Sequence, residues 1–176
     1  GGGSNLLFSG NFDGTILHSA VKFIYELPED DPLYISDNEV LVSAGAGVPF
    51  DDLCKWAAEN GLWGAENLSY IPGETGAAAV QNIGAYGAGA SIADIIRQVY
   101  CYDTVEEEFV HFNVNECRYG YRESMFKSPE ARDRYIVTNV ILALTRVRSP
   151  KLEYGNIRTA LSGALGIPAE EVDWSE

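Results

Sequence analysis

Three stretches of the 176-residue sequence combine residue types that suit the binding and chemistry of a small ligand. Residues 71–87 are mostly glycine, alanine and other small residues, and the pair Pro72 and Gly73 favours a turn. Such a bare backbone allows close approach by a flat or phosphorylated ligand. Residues 1–5 form a second glycine-rich segment, and residues 118–124 place an arginine among tyrosines. We expect the first two stretches to hold a cofactor and the third to contact the substrate.

The stretch 71–87 also carries two side-chain amides, those of Gln81 and Asn82, among its glycines and alanines. A flat ring system requires this combination, because the backbone must come close while a few amides hydrogen-bond the ring heteroatoms. The alternative is a tight contact between a helix and a sheet that happens to need alanines. We expect the cofactor interpretation to be the correct one.

The glycine-rich start of the chain is a weaker signal. Residues 1–5 read Gly-Gly-Gly-Ser-Asn, which is neither a Walker loop nor a Rossmann dinucleotide fingerprint. Ser4 and Asn5 are suited to donate side-chain hydrogen bonds beside glycine amides, and together these groups make a concave nest for a pyrophosphate. A plain turn is an equally good interpretation of this segment taken alone.

Arg122 is the residue with the strongest indication of chemistry. Its planar guanidinium matches a carboxylate in a bidentate fashion, and the neighbouring tyrosines and glycine are suited to fix its orientation. The alternative interpretation is a surface arginine that pairs with Glu123 or Glu116.

Composition restricts the class of protein. The formal net charge is −14, and the hydrophobic content of 46% is that of a globular protein. Such an acidic surface repels phosphate backbones, so nucleic-acid binding is disfavoured. The sequence predicts no membrane insertion, and we expect a soluble cytoplasmic protein. The three cysteines and two histidines lack metal-ligand spacing, so we expect no metal site and interpret all five as structural.

The pattern of apolar residues predicts an α+β protein, with an antiparallel sheet partly covered by helices. Residues 49–61 are the clearest helix, with a proline at the start, acidic residues in the first turn and a glycine at the end. A hairpin is expected to turn at Asp37 and Asn38. The predicted strands cover residues 15–25, 33–35, 39–44, 93–102, 108–112 and 135–144, and a further short helix is expected over 156–165.

Two longer motifs carry a family resemblance. Residues 81–87 read Gln-Asn-Ile-Gly-Ala-Tyr-Gly, and residues 120–127 read Gly-Tyr-Arg-Glu-Ser-Met-Phe-Lys. Together with residues 1–8, 66–68 and 71–73, these motifs closely resemble the UDP-N-acetylenolpyruvoylglucosamine reductases, also called UDP-N-acetylmuramate dehydrogenases. The resemblance extends from Gly1 to about residue 165.

The resemblance implies a fold of the vanillyl-alcohol-oxidase type, in which two α+β subdomains clasp FAD and a third domain closes over the substrate. Members of the family are bacterial flavoenzymes of peptidoglycan precursor synthesis. They pass a hydride from NADPH through FAD to the enolpyruvyl double bond of a UDP-sugar, and protonation then gives the lactyl ether. The implied cofactors are therefore FAD and, as hydride donor, NADPH.

The resemblance also implies roles for individual residues. Arg122 corresponds to the arginine that contacts the substrate carboxylate and stabilises the developing enolate. Tyr86 and Tyr154 correspond to tyrosines associated with the UDP-sugar. The positions implied to hold FAD are Gly1, Gly2, Gly3, Ser4, Asn5, Pro72, Gly73, Gly76, Ala77, Ala79, Asn82 and Gly84.

The chain departs from the family pattern at both ends. The serine and the glutamate that complete proton delivery in the family correspond to positions beyond residue 176, so we expect a fragment that is inactive alone. We predict that residues 1–28 end a first FAD-binding subdomain, residues 29–149 form the second, and residues 150–176 lead toward a substrate domain. The alternatives are a non-catalytic flavin- or nucleotide-binding module and a structural domain with an acidic interaction face.

Overall fold

A computed structural model describes residues 7, 9–85, 90–148, 150, 152 and 156–168. Within these residues, seven strands and three α-helices occur. The strands are β1 (Ile24–Glu26), β2 (Glu39–Gly45), β3 (Gly84–Ala85), β4 (Ala90–Ser91), β5 (Ile96–Asp103), β6 (Glu108–Asn113) and β7 (Tyr135–Thr145). The helices are α1 (Phe50–Glu59), α2 (Thr75–Gln81) and α3 (Ile157–Leu165), and single 3₁₀ turns cover Glu66–Leu68, Ile92–Asp94 and Met125–Lys127.

Five strands form one antiparallel sheet in the order β1-β2-β7-β5-β6. The 11-residue β7 is central, because its run of β-branched and apolar side chains suits a strand with neighbours on both sides. Strands β3 and β4 make a separate two-stranded ladder that leads away from the large sheet. The predicted α+β class with an antiparallel sheet flanked by helices is therefore confirmed.

The hydrophobic core lies between one face of this sheet and helices α1 and α2. Val42 and Leu142 are paired across β2 and β7, and both are fully buried on this face. Helix α1 contributes Phe50, Leu53 and Ala57 to the same core, as its three- and four-residue spacing predicts. The prediction of a helix here is confirmed, and Gly61 follows its end at a φ of 68°.

The predicted hairpin over residues 33–44 is wrong. Strand β2 pairs with β1 and β7, and residues 33–35 form no strand. Tyr34 contacts β2 through its side chain instead, since its hydroxyl accepts a hydrogen bond from the Leu41 amide at 3.2 Å and donates one to the Leu27 carbonyl at 3.2 Å. Of the predicted strand over 15–25, only its last two residues lie in β1.

The predicted boundary between subdomains at residue 28 stays a prediction. Strand β1 precedes that boundary and pairs with β2, which follows it, so the five-stranded sheet includes residues from both sides. The boundary at residue 149 also stays a prediction. In the described part of the chain, no helix is long and apolar enough to cross a membrane.

All three cysteine thiols are free and buried, as expected for structural residues. Burial raises the pKa of Cys54 and Cys101 to about 12 and that of Cys117 to about 11. Because the thiolate is the reactive form, we predict that iodoacetamide leaves the native protein unmodified at pH 8. Intact mass should show three additions only after denaturation, and rapid alkylation of the native protein would contradict the packing.

A buried carboxylate at the end of β5 gives the fold a dependence on acid. Arg134 donates two hydrogen bonds to the Asp103 carboxylate from Nε at 2.9 Å and one from Nη2 at 2.6 Å. These bonds lower the pKa of Asp103 to about 2, with further help from the Val105 and Glu106 amides.

We therefore predict that stability is lost as the pH falls from about 4, where an unfolded aspartate takes up its proton, through about 2. Between these values the unfolded chain binds more protons than the native state, so lowering the pH decreases the free energy of unfolding. Urea unfolding at a series of pH values should show this slope in the natural protein and a smaller slope in Asp103→Asn. The matched control is Asp52→Asn on the exposed surface of α1, which also removes one carboxylate but leaves the contact between Arg134 and Asp103 in place. Equal slopes in the natural protein and Asp103→Asn would contradict the account.

Candidate functional site

The structure describes part of the predicted site. Gly1, Gly2, Gly3, Ser4 and Asn5 lie outside the described residues, as do Tyr86 and Tyr154. The predictions for these seven positions therefore stay predictions. The remaining predicted positions lie in the loop before α2, in α2 itself, in the following segment to β3, and in the turn that contains Arg122.

The loop before α2 is fixed against the segment that joins β2 to α1. The Phe50 amide donates to the Gly73 carbonyl at 2.9 Å, and the Thr75 amide donates to the Val48 carbonyl at 2.8 Å. The buried Thr75 hydroxyl donates to the same Val48 carbonyl at 3.0 Å. These bonds set the start of α2 firmly beside the end of β2.

The small-residue stretch 71–87 contains a helix that was not among the predicted elements. Residues Thr75–Gln81 form α2, which packs against β7 and β2. The tight helix–sheet contact that was the less favoured interpretation is therefore present. Its physical reason is close approach, since a Cβ on Gly76 would lie 2.7 Å from the Cβ of Ala46.

The predicted cofactor positions in this stretch divide by exposure. Gly76 and Ala79 are buried, and their side of α2 packs inside the protein. Pro72, Gly73 and Ala77 are exposed, and Gly73 has the positive φ of 141° that a side chain would disfavour. Pro72, Gly73 and Ala77 therefore present small residues to solvent, whereas Gly76 and Ala79 pack inside the protein. Direct cofactor contact stays a prediction for all five.

Asn82 ends α2 and joins it to the rest of the site. Its backbone is left-handed, with a φ of 45°, a conformation that asparagine tolerates better than most residues. Its side-chain nitrogen donates to the Gly120 carbonyl at 2.7 Å, and its side-chain oxygen accepts from the Ala93 amide at 3.3 Å. Gly84 follows in β3 and is paired with Ser91 of β4.

Arg122 lies in a tight turn between Gly120 and Glu123, whose backbones exchange hydrogen bonds of 3.0 and 3.1 Å. Its own φ is 55°, a conformation that favours glycine. The guanidinium Nη2 donates to the Gly84 carbonyl at 2.8 Å, and the guanidinium Cζ lies 5.9 Å from the centre of the Tyr121 ring. The structure thus brings Arg122, Asn82 and Gly84 together from positions that are distant in sequence.

The alternative pairing of Arg122 with acidic neighbours does not occur. Within the described ranges, Arg122 forms no ion pair with Glu116 or Glu123. Glu116 accepts a hydrogen bond from the Asn113 amide at 2.8 Å instead. Among the described residues, no carboxylate therefore forms an ion pair with the half-buried guanidinium.

The sequence did not predict two sets of contacts made by residues close in sequence to the exposed small residues. His18 Nε2 lies 2.9 Å from a carboxylate oxygen of Glu74, and this hydrogen bond lowers the pKa of Glu74. Asp51 accepts from the Ser69 hydroxyl at 2.5 Å and from the Tyr70 amide at 2.8 Å, and these bonds lower its pKa. Neither contact has a signal in the sequence, because the partners are 56, 18 and 19 residues apart.

The described residues contain no group of three or more histidine, cysteine or acidic side chains that is placed to hold a metal ion. They do suit a flat organic cofactor. Pro72, Gly73 and Ala77 are exposed small residues, and Arg122 supplies a cation at Gly84, later in the same small-residue stretch. A ring system with phosphate groups requires both features.

Comparison with known proteins identifies the cofactor. Residues 1–112 match the family described as the FAD binding domain. The chain belongs to this family. FAD is therefore the cofactor of this FAD-binding domain, and the predicted fold type is confirmed.

Individual relatives have a more specific name. The chain is 41% identical over 172 residues to a UDP-N-acetylenolpyruvoylglucosamine reductase of Bacteroides fragilis strain YCH46, covering 98% of this chain and 49% of that protein. It is 43% identical over 157 residues to the protein of the same name from Neisseria gonorrhoeae, covering 89% and 43%. The chain thus spans about half the length of the curated relatives that it matches.

A solved structure agrees with these relatives. The crystal structure of UDP-N-acetylenolpyruvylglucosamine reductase from Thermus caldophilus superposes with a TM-score of 0.52 at 31% identity, covering 72% of this chain and 44% of that one. The resemblance expected from the two sequence motifs is therefore confirmed for the FAD-binding domain.

Proposed function

We propose that the protein reduces the enolpyruvyl ether of UDP-N-acetylglucosamine to UDP-N-acetylmuramate, with NADPH as the electron source and FAD as the carrier. The observation that supports this function best is the position of Arg122. Its guanidinium is held by the Gly84 carbonyl, within the small-residue stretch, and no carboxylate of the described residues forms an ion pair with it. The names of the relatives supply the substrate.

Bound FAD would supply hydride transfer, accepting from a nicotinamide and donating to the enol ether carbon. The chain itself supplies contact and orientation. We propose that Pro72, Gly73 and Ala77 lie against the cofactor, because they are exposed, small and next to the fixed loop before α2. Gly76 and Ala79 would contribute by letting α2 approach the sheet closely enough to present this surface.

Arg122 would bind the substrate carboxylate. Hydride addition to the enolpyruvyl double bond moves negative charge onto that carboxylate, so a fixed cation stabilises the transition state more than the ground state. A guanidinium already held by one hydrogen bond needs little reorganisation when the carboxylate arrives. This is the role proposed for Arg122 as a catalytic residue.

Residues outside the described ranges complete the proposal. Gly1 to Asn5 would contact the FAD phosphates, and Tyr86 and Tyr154 would contact the UDP-sugar, as the family resemblance implies. Tyr86 follows β3 directly after Gly84 and Ala85, so its position in the chain is next to the Arg122 contact. The resemblance places the proton-donating serine and glutamate beyond residue 176, so residues 1–176 by themselves are proposed to lack turnover.

The test is a steady-state assay of the FAD-loaded full-length gene product that contains residues 1–176. NADPH oxidation should depend on the UDP-sugar enolpyruvyl ether, and the product should be heavier by two hydrogen atoms. A vinyl ether that lacks the carboxylate should not be reduced. FAD binding without any reduction of the ether would instead favour a non-catalytic flavin-binding module and would overturn the proposal.

A further inference from the structure

A buried amide at the end of α2 has no assigned part in the site beyond the expected contact with FAD. Asn82 is buried, with a relative exposure of the residue of 8%. Its nitrogen and oxygen are both used within the protein, by the Gly120 carbonyl and the Ala93 amide. These two bonds leave at most one N–H donor and one lone pair of the amide for any other partner.

The two partners of Asn82 belong to different parts of the site. Gly120 is the first residue of the turn that carries Arg122, and Ala93 lies in the 3₁₀ turn that follows β4. The side chain of one residue thus connects α2, the end of the β3–β4 ladder and the Arg122 turn. The connection to the turn is made to the carbonyl of Gly120, whose amide closes the turn with Glu123.

The turn needs such an external contact. Arg122 has a positive φ, which costs a non-glycine residue free energy and persists only where the surroundings determine it. Two other side chains act in the same direction. Ser124 donates to the Val80 carbonyl at 2.6 Å, and the exposed Lys127 donates to the Arg122 carbonyl at 2.6 Å. The Asn82 contact joins the turn to the segment leading to Gly84, to which the guanidinium also binds.

We propose that Asn82 is a positioning residue, which fixes the Arg122 turn relative to Gly84 and so aims the guanidinium at the substrate carboxylate. This inference rests on the proposed function. It gives Asn82 a different role from direct contact with FAD. The difference is testable, because a positioning residue affects the use of substrate while FAD affinity stays nearly constant.

Asn82→Asp is the sharpest variant. It keeps the shape, the acceptor for the Ala93 amide and the tolerance of a left-handed backbone, but it replaces the donor to the Gly120 carbonyl with a repelling oxygen. Asn82→Gly keeps the backbone conformation and removes both side-chain hydrogen bonds. It replaces Asn82→Asp in the experiment if the aspartate variant does not fold. The matched control is Asn60→Asp at the end of α1, where the amide donates to the Trp56 carbonyl at 2.8 Å.

In the FAD-loaded full-length gene product, Asn82→Asp should lower kcat/KM for the UDP-sugar ether about 100-fold, the loss typical of a misplacement of about 1 Å. Its Kd for FAD, measured by flavin fluorescence, should stay within about threefold of the natural value, a change worth less than about 0.7 kcal/mol. Trypsin should cleave after Arg122 faster in Asn82→Asp and Asn82→Gly. Asn60→Asp should change none of these quantities.

Two results would overturn the proposal. A Kd for FAD raised tenfold or more, with kinetics restored at saturating FAD, would show that Asn82 is a flavin ligand. A loss of thermal stability with unchanged kinetics and unchanged cleavage after Arg122 would show a purely structural role. If the natural protein does not reduce the ether, the proposed function fails, and the proteolysis alone decides whether Asn82 holds the turn.

Discussion

Replacing Arg122 with alanine is expected to lower kcat/KM for the UDP-sugar enolpyruvyl ether about 10²–10³-fold. The loss corresponds to about 2.7–4 kcal/mol of transition-state stabilisation. The proposed reason is that negative charge grows on the substrate carboxylate during hydride addition, beside a guanidinium whose orientation the Gly84 carbonyl helps to fix. Because the interaction is stronger in the transition state, most of the loss should appear in kcat.

Two further variants separate charge from geometry at this position. Arg122→Lys keeps the charge but loses the planar fork, so it should recover only part of the activity. Arg118→Ala is the matched control, since Arg118 is exposed, lies in the same segment and also has a positive φ of 48°. It should change kcat/KM less than twofold. Equal losses in Arg118→Ala and Arg122→Ala would contradict the assignment.

The free energy of unfolding should reveal the backbone strain at Arg122 without any measurement of activity. Glycine normally destabilises a folded chain relative to alanine, but a φ of 55° reverses this order. Arg122→Gly should therefore be more stable to urea than Arg122→Ala by about 1 kcal/mol. Both variants should lose kcat/KM by the same factor of about 10²–10³, which would show that the activity depends on the guanidinium and not on the stability of the turn.

A side chain at Gly76 is expected to be the most disruptive small change in the fold. The Cβ of any replacement would lie 2.7 Å from the Cβ of Ala46 and 3.3 Å from its carbonyl oxygen, in a buried contact. We predict that Gly76→Val lowers the free energy of unfolding by about 3 kcal/mol, the upper end of the usual cost of overpacking. Thermal unfolding should shift down by about 6–12 °C.

A glycine in an exposed part of a helix provides the control, with alanine as the replacement at both positions. Gly163 lies in α3, and a Cβ there would meet no atom within 4 Å. Gly163→Ala should stabilise the protein by up to about 1 kcal/mol, because alanine is the better helix former. Gly76→Ala should destabilise it in the same assay. If both alanine variants shift stability in the same direction, α2 does not pack as described.

Much of the fold was predictable from local pattern. Helix α1 has a proline at its start, acidic residues in its first turn and one apolar face, so its sequence indicates its structure directly. The long β-branched run of β7 is equally clear. Helix α2 was missed, because glycine and alanine beside a Pro-Gly turn also suit a loop. The partner of a strand is a non-local property, which explains why residues 33–35 were wrongly paired with β2.

The residue types of the candidate site suggest a function from the sequence alone, whereas the contacts that join them do not follow from the sequence. The planar charge of Arg122 and its tyrosine neighbours indicated a carboxylate-binding residue, as did the family resemblance. The contacts from Arg122 to Gly84 and from Asn82 to Gly120 each join residues 38 positions apart. Such contacts depend on how α2, β3 and the turn pack together, and no spacing in the sequence reports them. The left-handed backbone at Asn82 and Arg122 likewise appears only in three dimensions.

The measurement that tests the proposed function most directly is an anaerobic single-turnover reaction. The FAD-loaded full-length gene product is mixed with one equivalent of NADPH and then with one equivalent of the UDP-sugar enolpyruvyl ether, while visible flavin absorption is followed. We predict that NADPH bleaches the absorption and that the ether restores it as the lactyl ether forms, about 10²–10³-fold more slowly in Arg122→Ala. Absorption that the ether does not restore, or that returns equally fast in Arg122→Ala, would contradict the proposed role of this site.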